Sequence, residues 1–582
     1  MKKFKKTSLL SLLILAITFV SCDEDDFLKE VNPNAITSDT FWQTQEQFNA
    51  ALTTVYGALQ FQSVSGGLLQ HQMVRGDIAG TEPWYRPLQF RNLTFNDGTF
   101  YVTDKWNELY IGVFRANQVI NELQSADSAV MFADNSKVEI EAQARFLRAF
   151  FYFQIAHTYG QGIIHTTVPA TGEFNKDLSS MQEITETVIK PDLEFAKANL
   201  PQSWSDENLG RVTWGAATSL LGKVYLYEED WAMAAQNFRQ VIDSGIYSLT
   251  PEILDNFRHD TEFNSESIFE VVYNDELAPG IGGGAVDDFP GGVGAEASTL
   301  ASATGQLSFN AFNTLLASYY LHEMLINDEI DPTSPKNASG NVHSQRLTAT
   351  IAPRNGEGNY YNVPFGDKPG WGFGQSAYIK KHSNWYHKDK EDAIEFSGRS
   401  GINFRHIRLA DVYLMYAEAI LELNGDVNTA MQYIDMIRSR AGVITLNQYL
   451  INNSGTFPQL HVSKQVHGTL PMVTPTVETV MTHLRRVERP SELCFEGHRW
   501  NDLVRWGIVA EVFSELAADE AWRETNKETV LQISNGGVAP LFIDERIRPD
   551  FMVANSSYSS NQHDYLPIPT GEVQANGNLI TN

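Results

Sequence analysis

Residues 219–245 read SLLGKVYLYEEDWAMAAQNFRQVIDSG, and their spacing constrains the fold more than any other feature of the chain. Leu221, Gly222, Tyr225, Ala234 and Phe238 follow one another at intervals of one, three, nine and four. Intervals of three and four mark one face of a helix. The longer interval marks a break between two helices, with small residues where they approach and large ones filling between. Such a pair cannot bury its apolar face alone and needs neighbours stacked on it.

The spacing matches the tetratricopeptide pattern. A looser copy, DVYLMYAEAILELNGDVNTAMQYIDMIRSRAG, carries Ala417, Ala419, Ala430 and Ile434 with a slip of about one residue. Helical periodicity also runs through Phe48, Ala51, Leu52, Val55 and Leu59, and through Ile140, Ala144, Leu147, Phe151 and Ile155. All of these read as core. Between the two copies the character changes. ESIFEVVYN alternates like a strand, and glycine, proline and asparagine are dense from about 260 to 400. Gly280, Gly282 and Ala285 imitate a dinucleotide fingerprint. They lead into Asp287, Asp288 and Pro290 rather than into a helix whose N-terminus could take phosphate, so this is a loop. The fold class is therefore mostly α: tetratricopeptide-like helix pairs as a base, capped by a loop-rich region with minor β content.

The N-terminal stretch LLSLLILAITFVSCDEDDF fixes the compartment. A predominantly apolar stretch of thirteen residues, Ser8 to Val20, follows Lys2, Lys3, Lys5 and Lys6. A spanning helix needs about 20 apolar residues, so this is the build of a secretion signal. Ser21 and then Cys22 resemble the lipobox of bacterial lipoproteins. That resemblance implies acylation of Cys22 (palmitate among the chains) and a lipid anchor rather than a span. Two or more acyl chains hold firmly where one is marginal. The only other cysteine is Cys494, so a disulfide framework is excluded. The chain carries −28, or −32 once the four signal lysines are removed. It repels nucleic acid, and neutral solutes suit it better than polyanions.

Four stretches are similar to the SusD/RagB family of outer-membrane nutrient-binding lipoproteins: EAQARFLRAFFYFQIAHTYG, RLADVYLMYAEAILELNGD, ERPSELCFEGHRWNDLVRWG and the C-terminal YLPIPTGEVQANGNLITN. The last ends in Thr581-Asn582 where the family often has Gln-Asn. The resemblance implies a surface-exposed, lipid-anchored capture protein of the outer membrane. It would act without catalysis as the lid of a SusC-like TonB-dependent transporter and hand it oligosaccharide or polysaccharide. The implied layout is a signal peptide over 1–21, a lipidated tether over 22–40, and a helical part over 41–260. A loop-rich variable region over 261–400 and a C-terminal part over 401–582 complete one composite domain from 41 to 582.

No His-Glu-x-x-His helix, nucleophile elbow or phosphate loop is present. Glu488, Arg489, Glu492, Glu496, Arg499, Asp502 and Arg505 read as structural ion pairs between neighbouring helical turns. No cofactor is expected, although Asp328, Glu329 and Asp331 would suit a structural calcium ion. Sugar rings lie on exposed aromatic faces beside polar groups. Two loop stretches offer these: Asp77, Trp84, Tyr85 and Arg86, and then Trp371, Phe373, Trp385 and Tyr386. The alternatives are a surface glycoside hydrolase and a peptide-binding helical-repeat lipoprotein.

Overall fold

The computed structural model describes residues 41–170, 172–274, 297–305, 311–338, 340–353, 358–361, 363–364, 377–386, 400–530 and 547–579. The signal peptide, Cys22 and its tether, the glycine-rich run from 280, Trp371 and Phe373 lie outside them. Among the described residues no helix is long and apolar enough to cross a membrane.

The helical base begins at α1 (Gln45–Gly57). The Thr44 hydroxyl accepts from the Gln47 N–H while Gln47 reaches back to the Thr44 N–H. Phe48, Leu52 and Val55 are fully buried on one face, and Leu59 follows in the next turn. α2 (Phe100–Ser125) and α3 (Ser136–Tyr159) pack side by side. They meet at Gly112, where a Cβ would stand 2.6 Å from the Phe151 ring. α4 (Lys190–Asn199) leads to the pair α5 (Trp214–Tyr227) and α6 (Trp231–Asp243). Here the spacing noted above is realised. Leu221, Tyr225, Ala234 and Phe238 are buried, and a Cβ on Gly222 would sit 2.7 Å from the Phe238 ring. Asp230 starts α6 by accepting from the Met233 N–H at 3.1 Å. α7 (Leu409–Asn424) ends at Gly425 in the left-handed region, and Asp426 caps α8 (Val427–Arg440). Ala417, Ala419, Ala430 and Ile434 are fully buried. Because α6 packs on α7, the stack continues although 165 residues of sequence separate them.

Short strands described in the cap include β1 (Ala79–Gly80), β2 (Ser267–Val271), β3 (Leu316–Ala317), β4 (Ile351–Pro353), β5 (Ala377–Ile379) and β6 (Phe404–Arg408). β2 pairs antiparallel with β6, so the insertion between α6 and α7 is clamped at its two ends. β1 pairs with β3, β4 pairs with β5, and β3 packs against β5.

The charged run from Glu488 is a buried keystone, and its partners correct the reading of neighbouring-turn pairs. Within the run, Arg505 meets Asp502 three residues away at 3.0 Å, and Arg489 meets Asp502 at 2.8 Å. The other partners are distant in sequence. Arg489 also binds Asp411 of α7 at 2.8 Å, and Arg505 binds Glu418 at 2.6 Å. Glu488 holds Arg346 and Arg438, Glu492 holds Arg408 and Arg440, and Glu496 holds Arg408 and Lys381. The reason is local geometry. A π-helical turn over Leu484–Glu488 and very short helices replace a long regular one, so the side chains radiate into α7, α8 and β6. Burial alone would push these carboxyls up. The guanidiniums of Arg440 and Arg408 outweigh it at Glu266 and Glu492, and Arg408 with Lys381 at Glu496, holding all three near 2.

Candidate functional site

The segment after β1 leaves the fold as a turn. The Thr81 hydroxyl donates to the Thr314 carbonyl at 2.6 Å, and the Tyr85 N–H bonds back to Glu82. This lifts Trp84 to 67 % exposure. Its ring centroid lies 6.0 Å from that of half-buried Tyr85. Burial pushes the Tyr85 phenol up, and the Trp84 side chain hydrogen-bonds to it. The Tyr85 hydroxyl donates to Asn313 Oδ1 at 3.0 Å. Arg86 is exposed, with its guanidinium 5.7 Å from the Phe100 ring centre.

Asn313 brings in a residue that sequence reasoning missed. Phe312, beside it, is 54 % exposed on the irregular segment that runs into β3. The sequence holds a signal for it: Phe-Asn occurs twice within Phe309-Asn310-Ala311-Phe312-Asn313, an aromatic next to an amide. The Tyr85–Asn313 hydrogen bond therefore joins two chain segments 228 residues apart, with Trp84 beside Tyr85 on one and exposed Phe312 next to Asn313 in sequence on the other.

Of the second sequence patch, only Trp385 and Tyr386 lie within the described residues. Trp385 is half-buried and stacked on Tyr360 at 6.5 Å, with Lys380 Nζ 3.8 Å from its ring centre. Burial pushes the Lys380 ammonium down to about 7. The Tyr386 hydroxyl accepts from the His259 N–H at 2.9 Å, and Arg258 lies 4.6 Å from its ring centre. Both rings brace the loop layer. Leu316, paired across to Gly80, is buried with Tyr360, Tyr361 and Tyr378, and Trp385 packs against that cluster.

Asp77 is corrected to a structural residue. It is fully buried, and Arg499 grips both its oxygens at 2.6 and 2.7 Å. Asp328 likewise turns inward to Arg438 and Arg346, while Asp331 accepts from Thr333 and Gln448. Among the described residues no group of three or more His, Cys, Asp or Glu converges for a metal.

Two family models match the chain. The SusD family matches residues 346–582, and a family described as starch-binding and associating with the outer membrane matches 26–226. The chain belongs to the SusD/RagB family. A SusD-like protein of Formosa agariphila is 25 % identical over 530 residues, covering 87 % of this chain and 90 % of that one. One from Bacteroides ovatus is 26 % identical, covering 76 % and 78 %. A solved SusD superfamily protein from Bacteroides vulgatus superposes with a TM-score of 0.68 at 22 % identity, over 92 % of this chain and 98 % of that one. A laminarin-binding SusD-like protein gives 0.62 at 23 %, over 93 % and 99 %. The helical stack with its loop-rich cap is thus the SusD-superfamily fold.

Proposed function

We propose that this SusD-family protein captures neutral glycans at the cell surface and passes them, uncut, to a SusC-like TonB-dependent transporter that it covers as a lid. The observation carrying this is the exposed Trp84 ring beside Tyr85, whose hydroxyl is held by Asn313. Its flat apolar face meets the C–H face of a pyranose, while Asn313 and Arg86 are at hand for hydroxyls. Acylated Cys22 anchors the chain in the outer membrane, in keeping with the family description that associates it there. One solved relative binds laminarin, so β-glucan heads the panel to be tried.

The test is native-gel retardation against a panel of polysaccharides, with reducing ends assayed afterwards. The reading requires retardation by at least one neutral polymer, weaker retardation in Trp84→Ala, and no new reducing ends. Reducing ends released by pure protein would favour a hydrolase instead.

A further inference from the structure

Away from the loop layer, the base carries a cleft of about 720 Å³ between α2, the segment after α3, and the C-terminal helix Thr570–Ala575. Its size lies within the range of small-ligand sites. We propose that this cleft is a second binding site for a neutral oligosaccharide.

The argument rests on what lines it. Trp106, Tyr110 and Phe114 recur every four residues and so share one face of α2. Phe114 is 40 % exposed, and Phe174 on the facing loop is 58 % exposed. Trp106 donates its indole N–H to Glu572 Oε2 at 3.3 Å, and Asn576 donates to Oε1 at 3.2 Å. The carboxylate is therefore fixed in place with acceptor capacity left on each oxygen. The Tyr110 hydroxyl is already occupied by both the N–H and the carbonyl of Ile163, so this residue offers only its ring.

Asn117, also in the lining, is committed to the His165 carbonyl and to Arg148, but other polar groups are open. Asn107 and Asn175 are exposed in the lining and make no side-chain hydrogen bond among the described residues. His165 Nδ1 is buried against the cleft and has no partner among them. Aromatic faces beside open amides and a fixed carboxylate suit a molecule with apolar faces and many hydroxyls. No lysine or arginine lines the cleft, so an anionic ligand would find no counter-charge. That one polymer engages both places rests on the function proposed above. The preference of the cleft rests on its own lining.

The experiment uses the full chain with four probes: laminarihexaose, maltohexaose, cellohexaose and mannohexaose. Binding is followed by ligand-observed NMR and calorimetry for the unaltered protein, Trp84→Ala, the pair Phe114→Ala and Phe174→Ala, and the triple variant. Both phenylalanines are exposed, and an unchanged melting temperature would show that the fold survives. The expected result is that Trp84→Ala retains binding to at least one hexaose, and that adding the two phenylalanine changes weakens it about tenfold or more. Residual binding indifferent to Phe114 and Phe174, or no binding of any probe by the unaltered protein, would overturn the proposal. If Trp84→Ala were silent while the phenylalanine pair abolished binding, the cleft would stand and the loop-layer site would fall.

Discussion

Arg408 shows what single residues do in this protein. Its guanidinium is fully buried and meets Glu266 and Glu492 at 2.7 Å through Nη1 and Glu496 at 2.7 Å through Nε. Removing one member of such a cluster leaves charges buried without compensation, which costs about 3–5 kcal/mol. Arg408→Ala should therefore lower the unfolding free energy by that amount, read as a lower midpoint in chemical denaturation. Arg408→Lys should recover little, since an ammonium cannot fork to three carboxylates. If Arg408→Lys matched the unaltered protein in chemical denaturation, point charge alone would account for the cluster. At Trp84, by contrast, alanine should leave the melting temperature within about a degree and weaken glycan binding, because an exposed ring removes little packing. The sequence showed that aromatics cluster on these loops but not which faces stay open. Trp84 and Trp385 look alike in the chain. Only the fold places Lys380 and Tyr360 beside the second ring.

Among the elements, the pairs α5–α6 and α7–α8 were legible because their small residues must sit where helices touch. Gly222 carries that logic to a test. Gly222→Ala would place a methyl 2.7 Å from the Phe238 ring, costing about 1–3 kcal/mol through overpacking. Adding Phe238→Leu should return part of it, as a double-mutant cycle would show. An unaffected Gly222→Ala would mean that the close approach is not needed. The stretch ERPSELCFEGHRWNDLVRWG was misread at this scale for a definite reason. Spacings of three and four speak for neighbouring turns only in a continuous helix, and here the chain changes to a π turn and then to short pieces. The clamp of β2 on β6 was half visible, as one strand in ESIFEVVYN without its partner. Strands of two or three residues such as β1 and β3 have no period to read.

In the whole molecule, the buried network joins the base to the inserted cap, so its titration should be felt globally. Glu266, Glu492 and Glu496 are held near 2, against an ordinary 4.5. A depressed carboxyl contributes its full stabilisation above the ordinary value and loses it as pH falls towards the depressed one. The melting temperature should thus be insensitive to these groups above about pH 5 and fall steeply between about 4.5 and 2. A decline complete before pH 4.5 would show that other groups govern acid unfolding. The stacked helices carry stability, while the cap closes on itself through β1, β3 and β5 and presents Trp84 outward.

The most direct test of the central claim is hydrogen–deuterium exchange of the full chain with and without a polysaccharide that retards it on a native gel. Slower exchange is expected in residues 80–86 and 311–317, the two segments that hold Trp84, Tyr85, Phe312 and Asn313. Bound glycan with both segments unchanged would contradict the account.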